Sequence, residues 1–184
     1  MVPRVLSCLI VGALVSLAAA SDAAVVWTDK GYVSGAYSSS YEWHYFGGIP
    51  YAAPPTGSLR WQPPADKAPW GWILDNSGTH TNRTGYCPTW NADTQNVEGD
   101  EDCLYLDIVT TTLSQTANKP VLVWIHGGFY NFGDSASFIA SPKIVYNGVV
   151  LVSIDYRLGA LGFMAHPELT SESPVSSSGN YGIY

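Results

Sequence analysis

The sequence is short of basic residues. Eight Lys and Arg stand against fifteen Asp and Glu, a formal charge of −7 over 184 residues. A surface of that sign repels a phosphate backbone, so nucleic acid is excluded as the expected partner. Charged residues reach only 12% and apolar ones 46%, which excludes a disordered chain and indicates a globular one. There is no internal repeat, no domain linker and no His-Glu-x-x-His or similar ligand spacing, so neither metal nor cofactor is expected. Long apolar runs are missing after the first twenty residues. Residues 5–17 form such a run, but it is shorter than the roughly 20 residues that span a bilayer. With Arg4 before it and Ala18-Ala19-Ala20 after it, the run has the pattern of a secretory signal peptide cut near Ala20. Residues 21–184 are then one exported domain with no membrane span.

Cysteine is scarce as well, with three in the chain. Cys8 leaves with the signal, so Cys87 and Cys103 remain as one pair in an oxidising compartment, where a disulfide is expected. Asn82-Arg83-Thr84 is a glycosylation sequon, consistent with export.

What is present reads mainly as strands. Residues 25–27 and 32–37 predict two short strands around a turn at 29–31, and residues 41–46 a third. Glycines and prolines from Gly47 onward predict an ordered coil to residue 69, and residues 76–102 read as polar and irregular, with Glu98 and Asp100 in a solvated loop. Residues 104–110 alternate as a strand. The run Val121-Leu122-Val123-Trp124-Ile125 has no polar position, which predicts a strand buried on both faces. It ends in His126-Gly127-Gly128, where two glycines free the backbone to turn. A short helix is expected over 141–146, with Pro142 at its start and Asn147-Gly148 at its end. Another buried strand is expected over 149–155, a tight turn at 159–163 and a polar loop over 166–178. Two buried strands joined through a helix suggest an α/β crossover.

Five segments, in order, carry a resemblance. They are Phe46-Gly47-Gly48-Ile49-Pro50-Tyr51-Ala52 with Pro54-Pro55 and Leu59-Arg60; Glu101-Asp102-Cys103-Leu104-Tyr105-Leu106-Asp107-Ile108; residues 120–133; residues 150–163 (VLVSIDYRLGALGF); and Gly179-Asn180-Tyr181-Gly182. Together they resemble the type-B carboxylesterase/lipase family, whose members include the cholinesterase-like proteins. The resemblance implies the N-terminal part of an α/β-hydrolase fold: a mixed, mostly parallel central sheet, incomplete here, preceded by a small antiparallel sheet. It implies a secreted hydrolase of small-molecule carboxylic esters. In such enzymes a Ser attacks the carbonyl, a His transfers the proton and a carboxylate orients the His.

The same resemblance implies site residues. Gly127, Gly128 and Phe129 take the places of the oxyanion-hole glycines, whose N–H groups stabilise the charge that develops on the carbonyl oxygen. Phe129 stands where relatives carry a third glycine, and a side chain suits that place if its φ is negative. Arg60 and Glu101 take the places of an internal salt bridge. Arg157 takes another such place, with its partner expected at the position after Tyr184. His126 is expected to prop the glycine loop, and His44, His80 and His166 to be surface or turn residues.

The nucleophile is missing. No Gly-x-Ser-x-Gly occurs, and in the family this elbow, the acid and the His all follow the Gly-Asn-x-Gly segment. Gly133-Asp134-Ser135-Ala136-Ser137 lacks the last glycine and falls in a segment expected at the surface. The chain alone is therefore expected to be inactive. A non-catalytic adhesion relative and a truncated product without independent function are the alternative readings.

Overall fold

A computed structural model describes residues 24–75, 85–139 and 142–184. The signal segment 1–20, His80, the sequon at Asn82 and the expected helix start at Ser141 lie outside the described residues. Strands β1 (Ala24–Thr28), β2 (Gly31–Ser38), β3 (Trp43–Pro50), β4 (Ile73–Asp75), β7 (Tyr105–Thr110), β8 (Val121–Ile125) and β9 (Val150–Ile154) form one sheet. Its order is β1-β2-β3-β7-β9-β8, with β4 beside β2. Strands β5 (Thr89–Asn91) and β6 (Asn96–Glu98) make a separate hairpin. Helices are few and short: α1 (Ala136–Ile139), α2 (Gly159–Phe163), α3 (Pro167–Glu172) and 3-10 turns at Gly57–Leu59 and Lys143–Asn147.

The sheet is mixed, and its two expected parts are one. β1 and β2 are joined by Asp29-Lys30, and Gly31 takes φ +143° where a Cβ would run into the Trp70 ring. Trp70 seals this turn, donating from Nε1 to Tyr32 O (2.8 Å) and from its backbone N to Lys30 O (2.8 Å). β3 then pairs antiparallel with both β2 and β7, so the N-terminal strands run on into the central sheet. Within these residues antiparallel pairs predominate: β1–β2 and β2–β3 fold back through short turns, while β3–β7 and β7–β9 join strands distant in sequence. Parallel pairing occurs at β2–β4 and at β8–β9.

β3 extends past the point where Gly47-Gly48 was expected to end it. The register shifts between Phe46 and Ile49, a bulge made by Gly47 and Gly48, and the strand resumes to Pro50. Gly48 has φ +73°, and its N–H is satisfied by Asp107 Oδ1 at 2.8 Å. A bulge absorbs the extra residue that coil propensity had assigned to a break.

β9 lies between β7 and β8 and is buried on alternate positions, Leu151 and Ser153 being inaccessible. β8 is the edge, and all five of its residues are exposed, Val121 at 60% and Ile125 at 62%. The expectation of burial on both faces fails here because, among the described residues, β8 has one neighbouring strand and no helix covers its faces. The 24 residues from His126 to Val149 return the chain to the start of β9 through α1 and the turn at Lys143–Asn147. Gly148 closes that turn in the left-handed region (φ +84°), donating to Val145 O.

Three clusters form the core. Val33, Phe46 and Ile49 pack with Trp70 and Leu106; Val109, Val145 and Leu151 pack with Trp43; and Cys87, Cys103, Leu104, Tyr156 and Leu158 pack with Phe163. Each fully buried aliphatic side chain contributes about 1.5–3 kcal/mol. Cys87 and Cys103 are bonded, and closing a loop of 16 residues contributes about 3 kcal/mol. Three further elements appear where irregular structure was expected. They are the β5–β6 hairpin, α2 in place of a tight turn, and α3, where Pro167 occupies the first turn and His166 Nδ1 accepts from Glu168 N.

Candidate active site: a donor loop at the end of a parallel strand

The loop after β8 turns twice within eight residues. His126 is buried, while Gly127, Phe129 and Tyr130 are exposed. Gly128 has φ +120°, and a Cβ there would collide with Phe132 O, so this position is restricted to glycine. Phe129 (φ +54°) and Tyr130 (φ +62°) are both left-handed. The negative φ expected of Phe129 is therefore not found. A left-handed residue with a Cβ costs about 1–2 kcal/mol, and the 86% exposed Phe129 ring lies in solvent instead of being packed.

Three consecutive peptide units of this loop are fixed through their carbonyl oxygens. Tyr156 Oη donates to His126 O (2.8 Å). His126 Nδ1 lies 2.8 Å from Gly127 O. Gly128 O accepts from Asn131 N (2.9 Å) and Phe132 N (3.2 Å). In a trans peptide the C=O and the following N–H point in opposite directions, so these bonds turn the N–H groups of Gly127, Gly128 and Phe129 away from the groups that hold their carbonyls. Among the described residues none of these three N–H groups donates to another group of the chain. The loop is anchored further along by Gly159 N to Tyr130 O (2.6 Å) and by Thr89 Oγ1 to Asn131 O (2.7 Å).

Two cavities open beside the loop. One, of about 600 Å³, is lined by Phe129, Tyr130, Ala160, Phe163, Met164 and Ile183. The other, of about 560 Å³, lies over the apolar face of β8 and β9, between Val123, Ile125, Val152, Ile154, Tyr156 and Tyr184.

Ser135 is far from being a nucleophile. It is fully buried, and its Oγ lies 2.7 Å from Asp107 Oδ2 and 3.1 Å from Asp155 Oδ2, while its N–H donates to Asp155 Oδ1 (2.7 Å). The segment expected at the surface thus has at its centre a buried residue bonded to Asp107 and Asp155. Asp155 faces this network.

Arg60 and Glu101 form a two-point ion pair, Nε to Oε2 at 2.7 Å and Nη2 to Oε1 at 2.5 Å. The carboxylate raises the Arg60 pKa above its ordinary value, chiefly through the hydrogen bond. Arg157 is 4% exposed and donates to the carbonyls of Gln62 (2.9 Å) and Tyr181 (2.8 Å), with the Tyr181 ring 5.6 Å from its guanidinium carbon. Among the described residues it forms no ion pair. Burial lowers its pKa, and the two nearby tyrosines, Tyr51 and Tyr181, oppose that shift. His44 is not a surface residue: it sits half-buried in β3 against Tyr37 (4.9 Å), and burial lowers its pKa.

Asn131 and Gly133 fall within the segment 120–133 singled out in the sequence, but no role was read for them there, nor for Tyr156 in the segment 150–163. Gly133 is legible in hindsight as a further glycine in the same segment. Tyr156 carried no local signal, because the sheet brings it to His126 from the far end of β9. Among the described residues no group of three His, Cys, Asp or Glu converges as a metal site, and no helix is long and apolar enough to cross a membrane.

A glycine loop of fixed, unengaged N–H donors after a parallel strand of a mixed sheet is the arrangement of an α/β-hydrolase. The chain belongs to the carboxylesterase family, whose model matches residues 22–184. It is 40% identical over 145 residues to a fumonisin B1 esterase of Sphingopyxis macrogoltabida, covering 75% of this chain and 26% of that protein. It is 34% identical over 172 residues to liver carboxylesterase B-1 of Rattus norvegicus, covering 86% and 30%. Among solved structures it superposes on a PNB esterase with a TM-score of 0.70 at 32% identity, covering 86% of this chain and 31% of that one. The chain thus spans about a quarter to a third of the length of these relatives.

Proposed function

We propose that these residues are the N-terminal part of a secreted serine hydrolase of small-molecule carboxylic esters, in which Gly127, Gly128 and Phe129 form the oxyanion hole. The observation that carries this reading is the set of three successive peptide units whose carbonyls are held and whose N–H groups are unengaged. Such donors stabilise the tetrahedral oxyanion, and removing one costs about 10²–10³ in kcat. Export is supported by the signal-like segment at 1–20, the Cys87–Cys103 bond and the sequon at Asn82. Arg60–Glu101 serves the fold, holding the segment after β3 against the disulfide-bonded segment.

No serine among the 184 residues lies in a Gly-x-Ser-x-Gly elbow, so on this reading the nucleophile, acid and His belong to sequence after Tyr184. Reading the transcript past the Tyr184 codon tests this. An in-frame Gly-x-Ser-x-Gly followed by an acid and a His is expected. A long open frame without that elbow contradicts the enzymatic reading and favours a non-catalytic adhesion-type relative.

A further inference from the structure

His126 is the one imidazole at the donor loop, and its two nitrogens are treated differently. Nδ1 faces Gly127 O at 2.8 Å. Nε2 is buried without a hydrogen-bond partner among the described residues. The ring lies 4.4 Å from that of Tyr156 at an interplanar angle of 20°, a stack that fixes its plane. Tyr156 is itself 5% exposed and donates its hydroxyl to His126 O. On the other side Gly133 (φ +116°) leaves room for the ring: a Cβ there would collide with Nδ1 and lie 2.6 Å from Gly127 O.

We propose that the His126–Tyr156 stack is a positioning pair for the oxyanion donors, with His126 held as the Nδ1–H tautomer. The inference rests on the oxyanion reading of the loop. A carbonyl oxygen only accepts, so the 2.8 Å contact to Gly127 O requires the proton on Nδ1. That bond fixes the Gly127–Gly128 peptide plane and so the direction of the Gly128 N–H. The Tyr156 hydroxyl does the same for the preceding plane and the Gly127 N–H. Neither side chain touches the reacting ester; each acts through a backbone carbonyl. The pair thereby supplies from side chains what a glycine-rich loop lacks, a defined direction for each donor before substrate arrives.

The test is magic-angle-spinning NMR of the chain labelled with 15N-histidine and 15N-glycine. The His126 Nδ1 is expected at the shift of a protonated nitrogen and Nε2 at that of an unprotonated one. The Gly128 amide is expected to be rigid, with an order parameter of about 0.85. His126→Phe keeps the stack and removes the donor, so Gly128 is expected to fall below about 0.6. His126→Asn places Nδ2 where Nδ1 lies and is expected to restore rigidity. An Nε2–H ring in the wild type overturns the proposal without any variant, as does a Gly128 that stays rigid in His126→Phe. These readouts concern the loop alone: an intact clamp in a protein shown to lack an oxyanion hole counts against the functional reading and not against the clamp.

Discussion

Phe129 and Ser135 are the residues at which the physical account is most exposed. Phe129 sits at φ +54° with its ring 86% exposed, so its backbone is strained and its side chain gains little from packing. Phe129→Gly is expected to stabilise the protein by about 1 kcal/mol, the left-handed penalty less the entropy of the added glycine. A urea melt checks this, and a loss of stability would show that the ring packs in solution. Ser135 joins Asp107, Asp155 and, through its carbonyl, Ser153 Oγ (2.9 Å), all inside the core. Ser135→Ala removes the hydroxyl from two buried carboxylates and is expected to cost about 1–3 kcal/mol. Thermal denaturation reads it, and an unchanged melting temperature would show that the hydroxyl is dispensable to the network.

At the scale of elements, the β5–β6 hairpin is organised by one carboxylate. Glu98 accepts from Asn91 Nδ2 (2.8 Å), Thr94 Oγ1 (2.7 Å) and Tyr86 Oη (3.0 Å). These hydrogen bonds, that from Asn91 foremost, lower its pKa below the ordinary 4.5, against a small opposing effect of burial. A carboxylate depressed on folding stabilises the fold above its unfolded pKa, and that contribution disappears as pH falls through the folded value. The hairpin is therefore expected to hold from neutrality down past pH 4.5 and to loosen only below it. NMR titration of the Glu98 carboxyl checks this; a midpoint at or above 4.5 contradicts it. This hairpin also marks the limit of what the sequence discloses. Thr89-Trp90-Asn91 and Asn96-Val97-Glu98 each hold a single apolar residue, exposed in the fold and too little to set a period, and side-chain bonds to one glutamate reinforce their antiparallel pairing. β8 was legible as a strand from five apolar residues in a row bounded by Pro120 and His126-Gly127, and β9 from the four-residue run Val149-Val150-Leu151-Val152, although the burial on both faces read from those runs is not found. The bulge in β3 was hidden, since Asp107, which satisfies Gly48 N–H, lies 59 positions away. The glycine loop was legible through His126-Gly127-Gly128, but its support Tyr156 was not, because the sheet pairing of β8 with β9 brings that hydroxyl to His126 O from 30 positions away.

For the molecule as a whole, the outstanding feature is an apolar edge. Val121, Val123 and Ile125 are more than half exposed on β8, and its outer side has no strand partner among the described residues. An edge of this length and composition pairs readily with another. Residues 21–184 produced alone are expected to self-associate, and Val123→Lys to reduce it, as read by sedimentation velocity. A monomer with a cooperative melt would contradict this and show that the edge is covered. The sheet, the disulfide and the donor loop are assembled, and no Gly-x-Ser-x-Gly elbow occurs in the sequence; on the function proposed above, these residues alone are expected not to hydrolyse an ester. The most direct test is nitrophenyl acetate hydrolysis by purified residues 21–184. A rate equal to that of buffer with matched inert protein is expected. Turnover above that rate, abolished by Ser135→Ala, would contradict this.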